Sequence, residues 1–306
     1  MKARRGFFFA AGLAVVAATA IVAGAHVWRS APPIRQRLWE TRLSLVSLKM
    51  QGRIPHVGWP DILSRMGPGW WQSGPPPLSR IAETGAPPCP TLWETPMGRF
   101  WGRARDGRDL DWIAMEQIGW HIYDRGAARV RPGDIVFDVG AHLGTFSRFA
   151  LDRGASKVVM FEPQPVNARC LERTFTREIA AGRVVLVEAA VWSNEGTLSF
   201  ATAGPGTMGH VDTGGRADDV TVRATTFDQT IQHLRLPRVD FVKMDIEGAE
   251  RYALAGGRRM LERSRPRMAI CIYHEPDDKA VIPRLVLEAN PQYRQLTRRG
   301  LQAYFY

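Results

Sequence analysis

The sequence predicts an α/β protein: a doubly wound, mostly parallel sheet with an antiparallel C-terminal strand, carried behind an N-terminal apolar segment. Three observations support this. From residue 134 onward, apolar strand-like runs alternate with helix-periodic segments, which implies parallel strands covered on both faces. The stretch Gly133 to Pro165, GDIVFDVGAHLGTFSRFALDRGASKVVMFEPQP, reads strand, glycine turn, helix, strand, with Asp138 and Glu162 at the two strand ends. Gly6 to Trp28 contains no ionised side chain, and its length is close to the roughly 20 apolar residues that cross a bilayer.

In chain order, residues 1–28 are expected to form a membrane anchor. A cleavable signal peptide is the rival, since Ala23-Gly-Ala25 suits a small-residue cleavage site. Residues 29–92 read as a juxtamembrane basic helix followed by a Pro/Gly-rich linker with little regular structure. The helix, IRQRLWETRLSLVSLKM over 34–50, either lies on the anionic leaflet or packs on the domain. Residues 93–131 form a preamble, with a hairpin expected around Arg99–Asp111 and a helix near Trp112–Tyr123. The main domain spans 132–306. Its strands are expected at 134–139, 157–161, 184–190, 239–245 and 268–274. Helices are expected at 143–153, 166–181, 248–262 and 278–289. A polar insertion at 193–224 carries a hairpin (GTLSF … VTVRATTF), and the tail YRQLTRRGLQAYFY closes the sheet as an antiparallel pair.

The net charge of +11 invites a nucleic-acid reading, but its placement argues otherwise. Residues 1–60 hold nine Lys/Arg against one acid, a balance of +8, and leave only +3 for the rest. The excess flanks the apolar segment, so attraction to a membrane surface explains it better than duplex binding. Downstream arginines favour a single-pass anchor with the C-terminal domain facing the cytoplasm. Cys89, Cys170 and Cys271 match no metal spacing. Cys170 and Cys271 read as buried apolar residues on a helix and a strand, and nothing demands an oxidising compartment.

Ligands of open α/β sheets sit beyond the carboxyl ends of the strands, where the strand order reverses. Those ends present Asp138, Gly140, Glu162, Glu188, Asp245, Glu247 and His274. Gly140 and Gly144 are expected to admit a ligand close to the backbone, and Glu162 to hold two ribose hydroxyls. The turn lacks the Gly-x-Gly-x-x-Gly of dinucleotide enzymes, with His142 where a further glycine is expected. A cofactor with one nucleoside and an amino-acid tail fits better, and S-adenosylmethionine meets that description. In VDFVKMDIEGAE a strand runs into a helix, leaving Asp245 and Glu247 at the turn. Helix capping and dipole pairing are the bland alternatives, and Glu250 reads as structural. His274, at the end of AICIYH, is a candidate base for a hydroxyl or a hydrogen-bonded structural residue. A metal-assisted variant would use Asp245 and Glu247, but no complete ligand set is visible, and no metal is expected.

The motifs GDIVFDVGAHLGTF, VVMFEPQP, ATTFD, VDFVKMDIEGAE and IYHEPDD together resemble the FkbM-type family of S-adenosylmethionine-dependent methyltransferases over roughly residues 94–306. The resemblance implies a class I methyltransferase (Rossmann-like) fold with a seven-stranded sheet. It also implies methyl transfer to a hydroxyl of a sugar, glycan or related metabolite. By position it implies that Asp138, Gly140 and Gly144 line the methionine end of the cofactor and that Glu162 binds its ribose. Asp245 and Glu247 would lie near the reacting methyl group. His142 stands where such proteins more often carry Asn.

The expected acceptor is a small molecule or, given the anchor, a lipid-linked glycan. The catalytic candidates are His274, then Asp245, with Glu247 beside them. The competing readings are a non-catalytic, membrane-tethered cofactor-binding module, an NAD-dependent enzyme, and an exported protein with a cleaved N-terminus. Against the NAD enzyme stands the absence of both Gly-x-Gly-x-x-Gly and a Tyr-x-x-x-Lys pair.

Overall fold

The computed structural model describes residues 44–64, 77–119, 121–201, 210–211, 220–298 and 301–306. The anchor expected at 1–28 lies outside the described residues. Among those described, no helix is long and apolar enough to cross a membrane.

The centre of the molecule is a seven-stranded sheet. Five parallel strands form its body: β4 (Ile135–Val139), β5 (Lys157–Phe161), β6 (Val184–Val187), β11 (Phe241–Met244) and β12 (Arg267–Cys271). The antiparallel pair β13 (Gln295–Arg298) and β14 (Gln302–Phe305) closes one edge, giving the order β13-β14-β12-β11-β4-β5-β6. Strands β4, β5, β11 and β12 are buried on both faces, which is why they read as largely unbroken apolar runs. Phe137, Val139, Val159 and Phe161 pack into one core and Val136, Val158 and Met160 into the other. The order of succession reverses between β4 and β11, so their carboxyl ends open a crevice.

Nine α-helices are described besides the helical residues 44–50: α1 (Trp59–Ser64), α2 (Gly107–Ala114), α3 (Thr145–Asp152), α4 (Pro165–Thr174), α5 (Thr176–Ala180), α6 (Phe227–His233), α7 (Glu250–Ala255), α8 (Arg258–Arg263) and α9 (Asp278–Ala289). Two helices expected as single runs are broken. Residues 166–181 divide at Phe175 and residues 248–262 at Gly256-Gly257. The polar insertion forms a small sheet in the order β7-β10-β8-β9, made of Ala190–Val191, Val220–Thr225, Gly196–Ala201 and His210–Val211.

The N-terminal part departs from expectation. Within the stretch expected as a linker, β1 (Arg80–Thr84) pairs with β2 (Thr91–Thr95), and β2 with β3 (Gly98–Gly102). The hairpin therefore turns at Thr95–Gly98 rather than within Arg99–Asp111. The preamble helix is α2, continued by a π-helical turn at Met115–Gly119. Leu45, Leu48, Ile54, Val57, Ile62 and Leu78 join Trp93, Phe100 and Leu110 in one buried cluster. Scattered apolar residues in a Pro/Gly-rich stretch carry no period, so their shared core was invisible in sequence.

Cys170 is buried as expected but is not free. It lies on α4 and is bonded to Cys89, 81 residues earlier. Arg173, one turn further along α4, stacks on Trp101 and donates to the carbonyl of Cys89. The bond thus ties the N-terminal cap to the helix that follows Glu162. Removing a cross-link that closes a loop of this size costs about 2–4 kcal/mol, so Cys89→Ser should lower the melting temperature. Non-reducing peptide mass mapping should recover Cys89 joined to Cys170; free thiols at both positions would refute the pairing.

Candidate active site

Two lobes of one crevice meet at the carboxyl ends of β4 and β11, sharing Gly140, His142 and Asp245. The larger lobe holds about 590 Å³ of empty space, part of it open solvent. It runs from Glu162 and Asn167 past Gly140 to Glu247, with Ala189, Val191 and Phe200 as apolar walls. The smaller lobe, of about 430 Å³, lies under the cap and is lined by Glu116, Gln117, Tyr123 and Lys243.

Glu162 sits where β5 ends. Its carboxylate accepts from the main-chain amides of His142 (2.8 Å) and Gln164 (3.0 Å). Burial pushes its pKa up to about 7, against the pull of those amide donors. His142 occupies a left-handed turn at φ 51°, a conformation in which Asn, Asp and His are enriched. Both its ring nitrogens are buried without a protein partner. Burial lowers its pKa to about 4, so the imidazole is neutral and presents one donor and one acceptor to the crevice.

Three of the expected cofactor residues do not line the crevice. Asp138 is completely buried beneath it, salt-bridged to Lys243 at 3.2 Å and accepting from the Ser147 hydroxyl at 2.6 Å. Lys243 in turn donates to the Gly140 carbonyl at 2.6 Å. The pair therefore props the glycine turn from below. Gly144 is bare for a different reason than ligand approach. A Cβ there would lie 2.3 Å from Phe175 and 2.8 Å from Leu171, so the gap serves helix packing. Gly140 does line both lobes, but its missing side chain makes room for the Asp245 carbonyl, 2.1 Å from where a Cβ would sit. Glu188 is exposed, at the break between Val187 and Ala190, while Ala189 and Ala190 line the crevice in its place.

Asp245, Glu247 and His274 come together from two strand ends. His274 Nε2 lies 3.4 Å from Asp245 Oδ1 and 3.7 Å from Glu247 Oε2. Asp245 does not cap α7, whose N-cap is Ala249; its Oδ2 accepts from Tyr123 at 2.5 Å. Glu247 is held at φ 55°, a sparsely populated conformation for a residue with a side chain. Glu250 is fully buried, accepting from the amides of Ile246 and Gly248 and meeting His274 Nδ1 at 2.9 Å. Burial opposes charge on His274, but the Glu250 bond and the charges of Glu250, Asp245 and Glu247 outweigh it and raise its pKa to about 9. Burial and the Asp245 charge raise Glu247 in the same cluster.

Sequence reasoning missed Tyr123, Lys243, Gln164, Asn167 and Phe200. Lys243 carried a usable signal: a lysine inside an apolar strand is almost never buried unpaired, and Asp138 occupies the same register on the neighbouring strand. Tyr123 carried none, being brought to Asp245 across 122 residues.

A profile described as the Methyltransferase FkbM domain matches residues 138–300. The chain is 46% identical over 63 residues to the 31-O-demethyl-FK506 methyltransferase FkbM of Streptomyces tacrolimicus, a match covering 20% of this chain and 24% of that protein. It is 27% identical over 187 residues to the hexuronic acid methyltransferase AglP of Haloferax volcanii, covering 58% and 74% respectively. It is 26% identical over 198 residues to the 2-O-methyltransferase NoeI of Sinorhizobium fredii, covering 56% and 78%.

Proposed function

The chain belongs to the methyltransferase FkbM domain family, and on that premise we propose that it moves the methyl group of S-adenosylmethionine onto a hydroxyl oxygen of a sugar or glycan. The observation that carries this reading is the shared crevice, with Glu162 at one end and Asp245, Glu247 and His274 at the other. The names of two relatives, a hexuronic acid methyltransferase and a 2-O-methyltransferase, support a sugar hydroxyl as acceptor.

In this reading Glu162 would hold the ribose, the apolar walls around Ala189 and Phe200 would take the adenine, and the Gly140–His142 turn would receive the amino-acid tail. The sulfonium supplies the leaving group, so the protein provides alignment and exclusion of water. The acceptor hydroxyl meets the carboxylates of Asp245 and Glu247, which take its proton as the methyl moves from sulfur to oxygen. Glu250 holds His274 by Nδ1, so that Nε2 faces the two carboxylates and orients them. Residues 6–28 tether the enzyme to a membrane, which favours a lipid-linked acceptor. That tether is supported by the uncharged apolar run and its basic flanks.

Incubation with methyl-labelled cofactor and membrane extract, followed by identification of the labelled product, tests the reaction. Label appearing in a methyl ether of a sugar is expected. Label confined to protein or nucleic acid, or no label at all, would overturn it. The same extract, separated into membrane and soluble fractions, locates the full chain; recovery in the soluble fraction alone would dismiss the tether.

The Glu162 assignment makes a pH prediction. With its pKa raised from 4.5 to about 7, Glu162 keeps its proton in the folded, cofactor-free protein after the unfolded chain has lost it. This contribution to stability is present below 4.5 and disappears as pH rises through 7. Cofactor affinity should run the other way, since ribose hydroxyls donate to the ionised carboxylate. Calorimetry is expected to show about tenfold tighter binding near pH 8 than near pH 6. Glu162→Gln should bind more weakly and flatten the profile; a flat profile in the unaltered protein would refute the assignment.

A further inference from the structure

We propose that Asp245, Glu247 and His274 form a binding site for one divalent cation of the manganese or magnesium type. The inference deepens the proposed function and rests on it for the acceptor's position. The three side chains each offer one ligand atom, and these atoms all lie within 4.8 Å of one another. They alternate in chemistry, two carboxylate oxygens and one imidazole nitrogen, a set that suits a borderline-to-hard cation.

Two buried atoms in this cluster lack what a satisfied site would give them. The His274 side chain is only 8% exposed, yet its Nε2 has no hydrogen-bond partner, and neither does Asp245 Oδ1. Buried polar atoms are rarely left unpaired, and these two face each other across 3.4 Å. The remaining atoms of both side chains are already committed. Tyr123 holds Asp245 Oδ2 and Glu250 holds His274 Nδ1 at 2.9 Å. A carboxylate behind the far ring nitrogen is the usual support of a metal-binding histidine, because it sets the ring's orientation and strengthens the nitrogen that faces the ion.

The other face of His274 is excluded as the cation's place. Glu250 is spent on the amides of Ile246 and Gly248, and Asp278 on Arg251 and the amide of Glu275. On the Nε2 side, three protein ligands leave positions open, as in metal sites that also take a substrate. The cation's role there is to draw an acceptor hydroxyl toward the methyl donor and make its proton easier to lose. The sulfur–carbon bond breaks with its electron pair left on sulfur, the oxygen–carbon bond forms, and the hydroxyl proton leaves through the half-exposed Glu247 to water. The products are the methyl ether, the demethylated cofactor and a proton.

The test uses the full chain stripped with a chelator and titrated with manganese(II), following the free ion by electron paramagnetic resonance and the heat by calorimetry. One ion per chain is expected. Glu247→Gln and His274→Gln should each weaken binding at least tenfold, while Glu288→Gln, an exposed and remote change, should leave it unaltered. Glu247 is half-exposed at a turn, so its variant keeps the test valid if the histidine variant fails to fold. Absence of binding in the unaltered protein at millimolar manganese, or full affinity in Glu247→Gln, overturns the site. Cofactor affinity and methyl transfer measured in the chelated samples separate the two readings. Persistent transfer without manganese binding removes the cation and keeps the enzyme.

Discussion

Asp245→Asn is expected to reduce methyl transfer by about 10²–10⁴-fold, the range associated with losing a positioned proton acceptor. The substitution keeps the shape of the side chain, and an amide oxygen can still accept from Tyr123, whose hydroxyl reaches Oδ2. What it removes is the charge at Oδ1, the atom facing His274 Nε2. Because Glu162 lies at the opposite end of the crevice, cofactor affinity should change by no more than a few-fold. Single-turnover transfer from labelled cofactor, read beside calorimetry, separates these effects. Transfer at the unaltered rate would remove Asp245 from the reaction; lost cofactor binding would move it to the cofactor's side. Tyr123→Phe should show a milder loss of the same kind, since it frees Oδ2 without removing the charge.

Lys243→Met should lower stability by about 3–5 kcal/mol, the cost of leaving one partner of a buried ion pair uncompensated. Asp138 is entirely enclosed, and Lys243 is its charged neighbour at 3.2 Å. Burial opposes charge on Lys243, but the carboxylates of Asp138 and Asp245 outweigh it and raise its pKa. The ammonium also donates to the carbonyls of Val139 and Gly140. Its loss therefore loosens the turn between the two lobes. Denaturant unfolding should show the loss, and cofactor affinity should fall with it. Pairing the change with Asp138→Leu should recover part of the stability, because a matched apolar pair leaves no buried charge. Single and double variants equally unstable would mean that the pair does not couple.

The sheet was legible because parallel strands buried on both faces appear as apolar runs, and all five such runs contain a strand, although the third ends at Val187 and the fifth at Cys271, short of their expected ends. Helix ends were less legible. Phe175 ends α4 because its ring fills the space beside Gly144, a tertiary contact with no local signature. In sequence the cap reads as a linker because Ile54, Val57, Ile62 and Leu78 have no common period. Only their meeting with Trp93 and Phe100 makes them a core. Cys89 and Cys170 were unreadable as a pair for the same reason: spacing alone does not say which residues become neighbours.

The sequence by itself determined the order of elements, the two strand-end carboxylates Glu162 and Asp245, and the turn that carries Gly140 and His142. These depend on short-range patterning, where propensity and burial act within a few residues. Tertiary structure alone decided which strand-end groups face the crevice. It set Asp138 beneath the floor, Glu188 toward solvent, and Gly144 against a helix. It also brought His274 to Asp245 and Glu247, and Tyr123 to Asp245. The meeting of His274 with Asp245 and Glu247 follows from the adjacency of β12 and β11, and the others from helix and cap packing, which likewise makes neighbours of residues that the chain keeps far apart.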